Sequence, residues 1–216
     1  MKIIYCISGL GADERAFSRL QIPEYKLVYL PWVMPLQNET IQAYALRMSV
    51  GIKEDNFILM GLSFGGMMCI EIAKLIKAEK VILISSISSA KGLPRWLKNL
   101  GRLKINRLFP MRSFKILEPI QNLFLGITDP DEKQMVRDYR KNSPTKYNDW
   151  AINQIVNWSN NWQPAKLYHI HGDKDNTFPI KYVVPTHIVK GGGHFMIMNR
   201  ADEVSANIRE ILLLLQ

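Results

Sequence analysis

The chain has 216 residues, 47% of them apolar and 22% charged, close to the roughly 45–50% and 25% of ordinary globular domains. That excludes a disordered, collagen-like or disulfide-scaffold chain, and at roughly 100–200 residues per domain it makes one domain, or one with a modest insertion. Lys and Arg number 28 against 19 Asp and Glu, a net charge of +9, which bears on nucleic acid, a membrane surface or acidic substrates according to where the charges sit.

Short apolar runs alternate with helical patterns, the signature of a parallel sheet covered on both faces. Strands are expected at residues 2–7, 26–31, 56–62, 80–85, 166–171 and 186–189. Asp13 can cap a short helix running to Leu20, and residues 38–52 read as a helix with Ile41, Ala45, Met48 and Ile52 on one face. Residues 64–77 form another, with Met67, Met68, Ile72, Leu75 and Ile76 inward, and residues 201–215 a last one. Cys6 and Cys69 lie in apolar segments without C-x-x-C spacing and read as buried reduced thiols. The apolar start is short for a secretory signal, and no run approaches the ~18–20 residues of a membrane span, so a cytoplasmic protein is expected.

Residues 86–164 break the alternation. They are far longer than a typical crossover and mostly helical in pattern. The expected organisation is therefore an α/β core at 1–85 and 165–216 with a helical cap inserted at 86–164.

An apolar strand runs straight into Gly61, Leu62, Ser63, Phe64 and Gly65, a G-x-S-x-G sequence followed at once by a helix. A strand that turns sharply into a helix strains its turn residue and lifts Ser63 above the sheet, near the positive end of that helix. A serine hydroxyl needs a base, and the base needs a carboxylate to orient it. The fifth strand ends in His171, Gly172, Asp173, Lys174 and Asp175, and the sixth leads through Gly191–Gly193 to His194. Ser63, Asp175 and His194 thus each follow the carboxyl end of a strand, where sites sit in open α/β sheets.

With these motifs, and with Ser8, Gly9, Leu10 and Gly11 after the first strand, the chain resembles small members of the α/β-hydrolase fold superfamily over nearly its whole length. The resemblance implies a doubly wound, mostly parallel sheet of about six strands. It implies Ser63 as nucleophile, His194 as base and Asp175 as acid, Gly172 to Asp175 fitting the family's G-x-x-D turn; Asp173 on the same loop is the competitor. The turn at 85–91 has no carboxylate to replace them. It further implies the backbone N–H groups of Leu10 and Phe64 as the oxyanion hole. Many relatives carry His-Gly where this chain has Ser8 and Gly9, so any role of that histidine is absent here. The larger members' two leading antiparallel strands have no counterpart before residue 2.

The implied activity is hydrolysis of a carboxylic ester or thioester through an acyl-enzyme, with a small or medium apolar acyl group held by cap aromatics such as Trp96, Phe124 and Trp158. No cofactor and no metal is expected. The fold also hosts acyltransferases, lyases, peroxidases and non-catalytic ligand-binding proteins, so function rests on the site.

Other readings of the same residues are weaker. His169, His171 and Asp173 alternate along a strand and could hold a metal, but buried core histidines are the commoner outcome. His187 reads as structural. Gly191–Gly193 lacks the following Lys-Ser/Thr of a phosphate loop, and Gly9-x-Gly11 meets Glu14 where a dinucleotide site needs glycine. The positive charge is concentrated: Lys91, Arg95, Lys98, Arg102, Lys104, Arg107, Arg112 and Lys115 come with no acidic residue between them. This is a solvated cap face, or one that attracts an anionic substrate or, by peripheral contact, an anionic lipid surface; no nucleic-acid motif accompanies it. Oligomeric state is not legible.

Overall fold

The computed structural model describes residues 1–102, 118–127 and 129–214, with side chains at 1–99, 122–127 and 129–214. Strands β1 (Lys2–Ile7), β2 (Tyr25–Tyr29), β3 (Phe57–Leu62), β4 (Lys80–Ile84), β5 (Leu167–Gly172) and β6 (His187–Val189) form one parallel sheet in the order β2-β1-β3-β4-β5-β6. Each expected strand is present, β1 with its ends unchanged and the others with an end moved by one residue or two. In register, Ile4 lies beside both Leu27 and Ile58, Gly61 beside Leu83, and Gly172 beside Val189.

Both faces of the sheet are covered, so β3 and β4 are buried along their whole length. Side chains alternate between two cores. Ile4, Cys6, Ile58, Met60, Ile82, Ile84 and Ile170 face one side, together with Val204, Ile208 and Ile211 of helix α8 (Ala201–Leu213). Tyr5, Ile7, Leu59, Val81 and Leu83 face the other, with helices α1 (Ile41–Ser49) and α2 (Phe64–Ala73). From Phe64 to Ile72, α2 is buried on all sides. At ~1.5–3 kcal/mol for each large apolar side chain removed from water, its Met67, Met68, Ile70 and Ile72 fasten it to the sheet.

The helix ends differ from expectation for local reasons. Asn38 adopts φ 56° and cannot open a helix, so α1 begins after Thr40, whose hydroxyl accepts Ala43 N–H at 3.2 Å. Beyond Ala73 the chain tightens, Leu75 N–H reaching Ile72 O at 2.9 Å, and α2 stops short of residue 77. The helix after Asp13 is one 3-10 turn, Glu14–Phe17.

Between β4 and β5 lie α3 (Arg95–Arg102), α4 (Glu118–Leu125), α5 (Pro130–Asn142) and α6 (Thr145–Val156), and after β6 comes the short α7 (Met196–Asn199). Val136 and Tyr139 of α5 join the first core, and Tyr147 and Ala151 of α6 the second. Two helices of this inserted stretch are therefore continuous with the sheet's packing. Lys104, Arg107, Arg112 and Lys115 lie outside the described residues, as does the side chain of Arg102. Cys6 and Cys69 are free and buried, and burial pushes both thiols up. Among the described residues no helix is long and apolar enough to cross a membrane.

Candidate active site

The turn at Ser63 is made possible by what its neighbours lack. A Cβ on Gly61 would collide with the backbone of Gly65, and one on Gly65 with the carbonyls of Ile7 and Ser8. With both side chains reduced to hydrogen, α2 starts hard against the sheet and Ser63 takes φ 52° and ψ −119°, a conformation non-glycine residues rarely adopt. Its N–H donates to Ile84 O at 2.9 Å, and its carbonyl accepts the Ser86 hydroxyl at 2.6 Å and Gly66 N–H at 3.0 Å.

The sheet order brings the other two loops to it. Asp175 and His194 follow β5 and β6, and the loops are zipped together: Asp173 N–H meets Val189 O at 3.3 Å and Lys174 N–H meets Gly192 O at 2.9 Å. Asp173 turns its Oδ1 to Gly191 N–H at 2.6 Å. Asp175 faces inward, its Oδ2 2.8 Å from His194 Nδ1, while His194 Nε2 lies 2.9 Å from Ser63 Oγ. Of the two loop carboxylates, Asp175 is the one on His194. A carboxylate only accepts, so the His194 proton is on Nδ1 and the lone pair on Nε2 faces the serine. Asp175 Oδ1 accepts the N–H groups of Thr177 at 2.8 Å and Phe178 at 2.9 Å. Burial alone would push this carboxyl up, but the charge and hydrogen bond of His194, aided by His171 and Phe178 N–H, outweigh it and hold Asp175 below its ordinary value.

β1 and β3 are neighbours, so the loop after β1 lies over the elbow; a Cβ on Gly9 would sit 3.5 Å from Ser63 Cβ. Among the described residues, neither Leu10 N–H nor Phe64 N–H donates to a protein acceptor. Ser8 is buried and builds the loop, its Oγ donating to Ala12 O at 2.6 Å and accepting Trp32 Nε1–H at 3.0 Å.

The aromatic residues divide. Trp96 and Phe124 are exposed, with ring centroids 6.2 Å apart, and the Phe124 carbonyl accepts Thr177 Oγ1–H of the loop after β5 at 3.4 Å. Trp158 departs from its expected place at a substrate pocket: it is 5% exposed, packed in the second core, with its indole N–H on Glu71 Oε1 at 2.8 Å. Apolar composition alone did not distinguish a pocket wall from a core anchor. Cavities of about 510 and 670 Å³ lie at residues 18–21 with 198–203, and at residues 35–40 with Lys146, Asp149, Trp150, Asn153 and Gln154; neither is lined by Ser63, Asp175 or His194.

Several residues that hold the site were not identified from sequence. Ser86 braces the Ser63 peptide, Trp32 the β1 loop, and Leu125 O anchors the loop after β6 by accepting Phe195 N–H at 2.9 Å. Each acts through a contact distant in the chain, for which no local pattern exists. His169 and His171 face each other, Nε2 to Nδ1 at 3.1 Å, with Asp173 turned away to Gly191.

A family model described as the alpha/beta hydrolase family matches residues 30–207. No curated protein matches the sequence. Among solved structures, an esterase from Exiguobacterium antarcticum superposes with a TM-score of 0.76 at 13% identity, covering 97% of this chain and 91% of that one. A thermophilic esterase from Thermogutta terrifontis gives 0.69 at 16% identity, over 98% and 89%. A bromoperoxidase from Bacillus anthracis gives 0.68 at 17%, over 98% and 91%. At such identities these likenesses speak for the fold, while the family match spans most of the sequence. The chain belongs to the alpha/beta hydrolase family.

Proposed function

We propose that this protein is a serine hydrolase that cleaves a carboxylic ester or thioester through an acyl-enzyme. The observation that carries the reading is the His194 ring, bridging Ser63 Oγ at 2.9 Å and Asp175 Oδ2 at 2.8 Å. Ser63 Oγ attacks the acyl carbon while its proton passes to His194 Nε2. The carbonyl oxygen gains the negative charge and is met by the N–H groups of Leu10 and Phe64. His194 then gives that proton to the leaving oxygen or sulfur as its bond to carbon breaks. Water repeats the sequence: its proton goes to His194, its oxygen bonds the acyl carbon, the bond to Ser63 Oγ breaks, and the proton returns to that oxygen. Asp175 fixes the tautomer of His194 and offsets the imidazolium charge.

The exposed rings of Trp96 and Phe124, tied to the acid loop through the Phe124 carbonyl, favour an apolar acyl group. The basic residues at the start of the inserted stretch, Lys91, Arg95 and Lys98, favour substrates with a negative charge away from the scissile bond. Reaction with a serine-directed fluorophosphonate tests the assignment. Wild type labels and Ser63→Ala does not; folded wild type that fails to label, or Ser63→Ala that labels equally, removes it.

A further inference from the structure

Beside Asp175 are two buried histidines that the proposed reaction does not use. His169 and His171 alternate along β5, point to the same side of the strand and are 3% and 0% exposed. His171 Nε2 lies 2.8 Å from the Phe178 carbonyl oxygen and His171 Nδ1 lies 3.1 Å from His169 Nε2. A carbonyl only accepts, so His171 carries its proton on Nε2. Its Nδ1 is then an acceptor, and His169 must donate from Nε2. The contacts therefore fix both tautomers and give the pair a direction: His169 to His171, His171 to Phe178.

Phe178 is the hub of this arrangement. Its N–H donates to Asp175 Oδ1 at 2.9 Å, its carbonyl accepts from His171, and its ring meets the His194 ring edge-on, with centroids 5.6 Å apart. His171 Nε2 also lies 3.5 Å from Asp175 Oδ2, the oxygen that receives His194. His171 thus steadies the carbonyl of the same residue whose N–H holds Asp175 Oδ1. The titratable groups facing His171 are His169 on its own strand, Asp175 on the acid loop and His194 on the base loop. Burial lowers both His169 and His171, which favours the neutral pair that these contacts require.

We infer that His171, its tautomer set by the Phe178 carbonyl, is a positioning residue that fixes the acid Asp175 and the wall of the base His194 through Phe178. The inference rests on the serine-hydrolase reading for its effect on rate, and on the contacts alone for its effect on the His194–Asp175 hydrogen bond. A glutamine at 171 can place an amide N–H near the Phe178 carbonyl; a leucine cannot, and an asparagine is too short.

The test measures kcat and KM on a p-nitrophenyl ester, together with the downfield proton resonance of His194 Nδ1, in wild type, His171→Gln and His171→Leu, with His171→Asn replacing the last if it does not fold. His171→Leu is expected to lower kcat by about ten- to a hundred-fold, the size of a small misplacement of a catalytic group, to leave KM nearly unchanged, and to lose or shift the resonance. His171→Gln should restore both towards wild type. A leucine variant with wild-type kcat and an unmoved resonance overturns the inference, as does a glutamine variant that falls as far as leucine. The resonance needs no turnover: should wild type hydrolyse no ester while the resonance still follows the variants as expected, the hydrolase reading fails and the positioning role stands.

Discussion

The Ser86 hydroxyl donates to the backbone carbonyl of Ser63 at 2.6 Å, across 23 residues of sequence. With Ile84 O on the Ser63 N–H at 2.9 Å, the end of β4 and the turn after it grip both sides of the residue that holds the most unusual backbone in the site. Conformations of this kind cost about 1–3 kcal/mol and persist only where the surroundings enforce them.

Glycine adopts φ 52° freely, whereas alanine carries the same Cβ as serine. Ser63→Gly should therefore be about 1 kcal/mol more stable than Ser63→Ala in urea denaturation, and neither should react with a fluorophosphonate. Equal stability of the two would show that the elbow stores no strain.

Asp175 and Asp173 share a loop but have different tasks. Asp175→Asn should lower kcat by about 10⁴-fold, because the amide no longer holds His194 with its Nε2 lone pair towards the serine. Asp173→Asn keeps an oxygen for Gly191 N–H, now 2.6 Å from Oδ1, and should leave kcat within a few-fold. Steady-state kinetics on both variants checks the assignment, and the reverse pattern would transfer the role of acid to Asp173.

Lys80, 1% exposed at the start of β4, donates from Nζ to Ile211 O at 2.6 Å and Leu212 O at 3.2 Å. It ties the last carbonyls of α8 to the sheet, where a positive charge complements the helix dipole. Replacing it with methionine keeps the bulk and leaves those carbonyls unpaired, so Lys80→Met should cost about 1–3 kcal/mol of unfolding free energy with fluorophosphonate labelling unchanged. An unaltered denaturation midpoint would contradict the anchoring role.

Acid should destabilise the fold through the buried histidines before Asp175 protonates. Burial, then the neighbouring His171, holds His169 down to about 3, and burial also lowers His171. In the unfolded chain both titrate near their ordinary value of about 6.5. Below that pH the unfolded state binds the extra protons, so stability is complete above it and falls as pH drops, by up to about 1.4 kcal/mol per pH unit for each histidine. The lowered Asp175 adds a further loss only below its unfolded value of about 3.9. Urea denaturation at fixed ionic strength from pH 7 to pH 5 should show this slope, and His169→Gln should reduce it; a flat profile would contradict the neutral buried pair.

The basic stretch is best probed by salt. If Lys91, Arg95 and Lys98 attract substrate, kcat/KM for an ester with a remote carboxylate should fall more steeply with ionic strength than for its neutral analogue. The triple substitution to glutamine should remove the difference. Parallel salt profiles in the unaltered protein would assign these residues to solvation alone.

The sequence by itself determined the strand set, the covered parallel sheet and the elbow, because each rests on local rules: β-branched runs between turns, helical periodicity, and glycines where a chain reverses against its neighbour. It also brought Ser63, Asp175 and His194 into view, since all three follow strand ends. The +9 charge was legible as a cluster too, though much of that cluster lies outside the described residues. Only the tertiary structure decided the rest. Which loop carboxylate meets His194 depends on how the β5 and β6 loops zip, a matter of a few hydrogen bonds between residues far apart in the chain. Trp158 became a core anchor because Glu71 on α2 offers its indole a partner. His169 and His171, which the sequence left between metal ligand and core filler, acquired fixed tautomers and a direction from the Phe178 carbonyl. Such contacts form between elements adjacent only in the folded chain, so no window of sequence contains them.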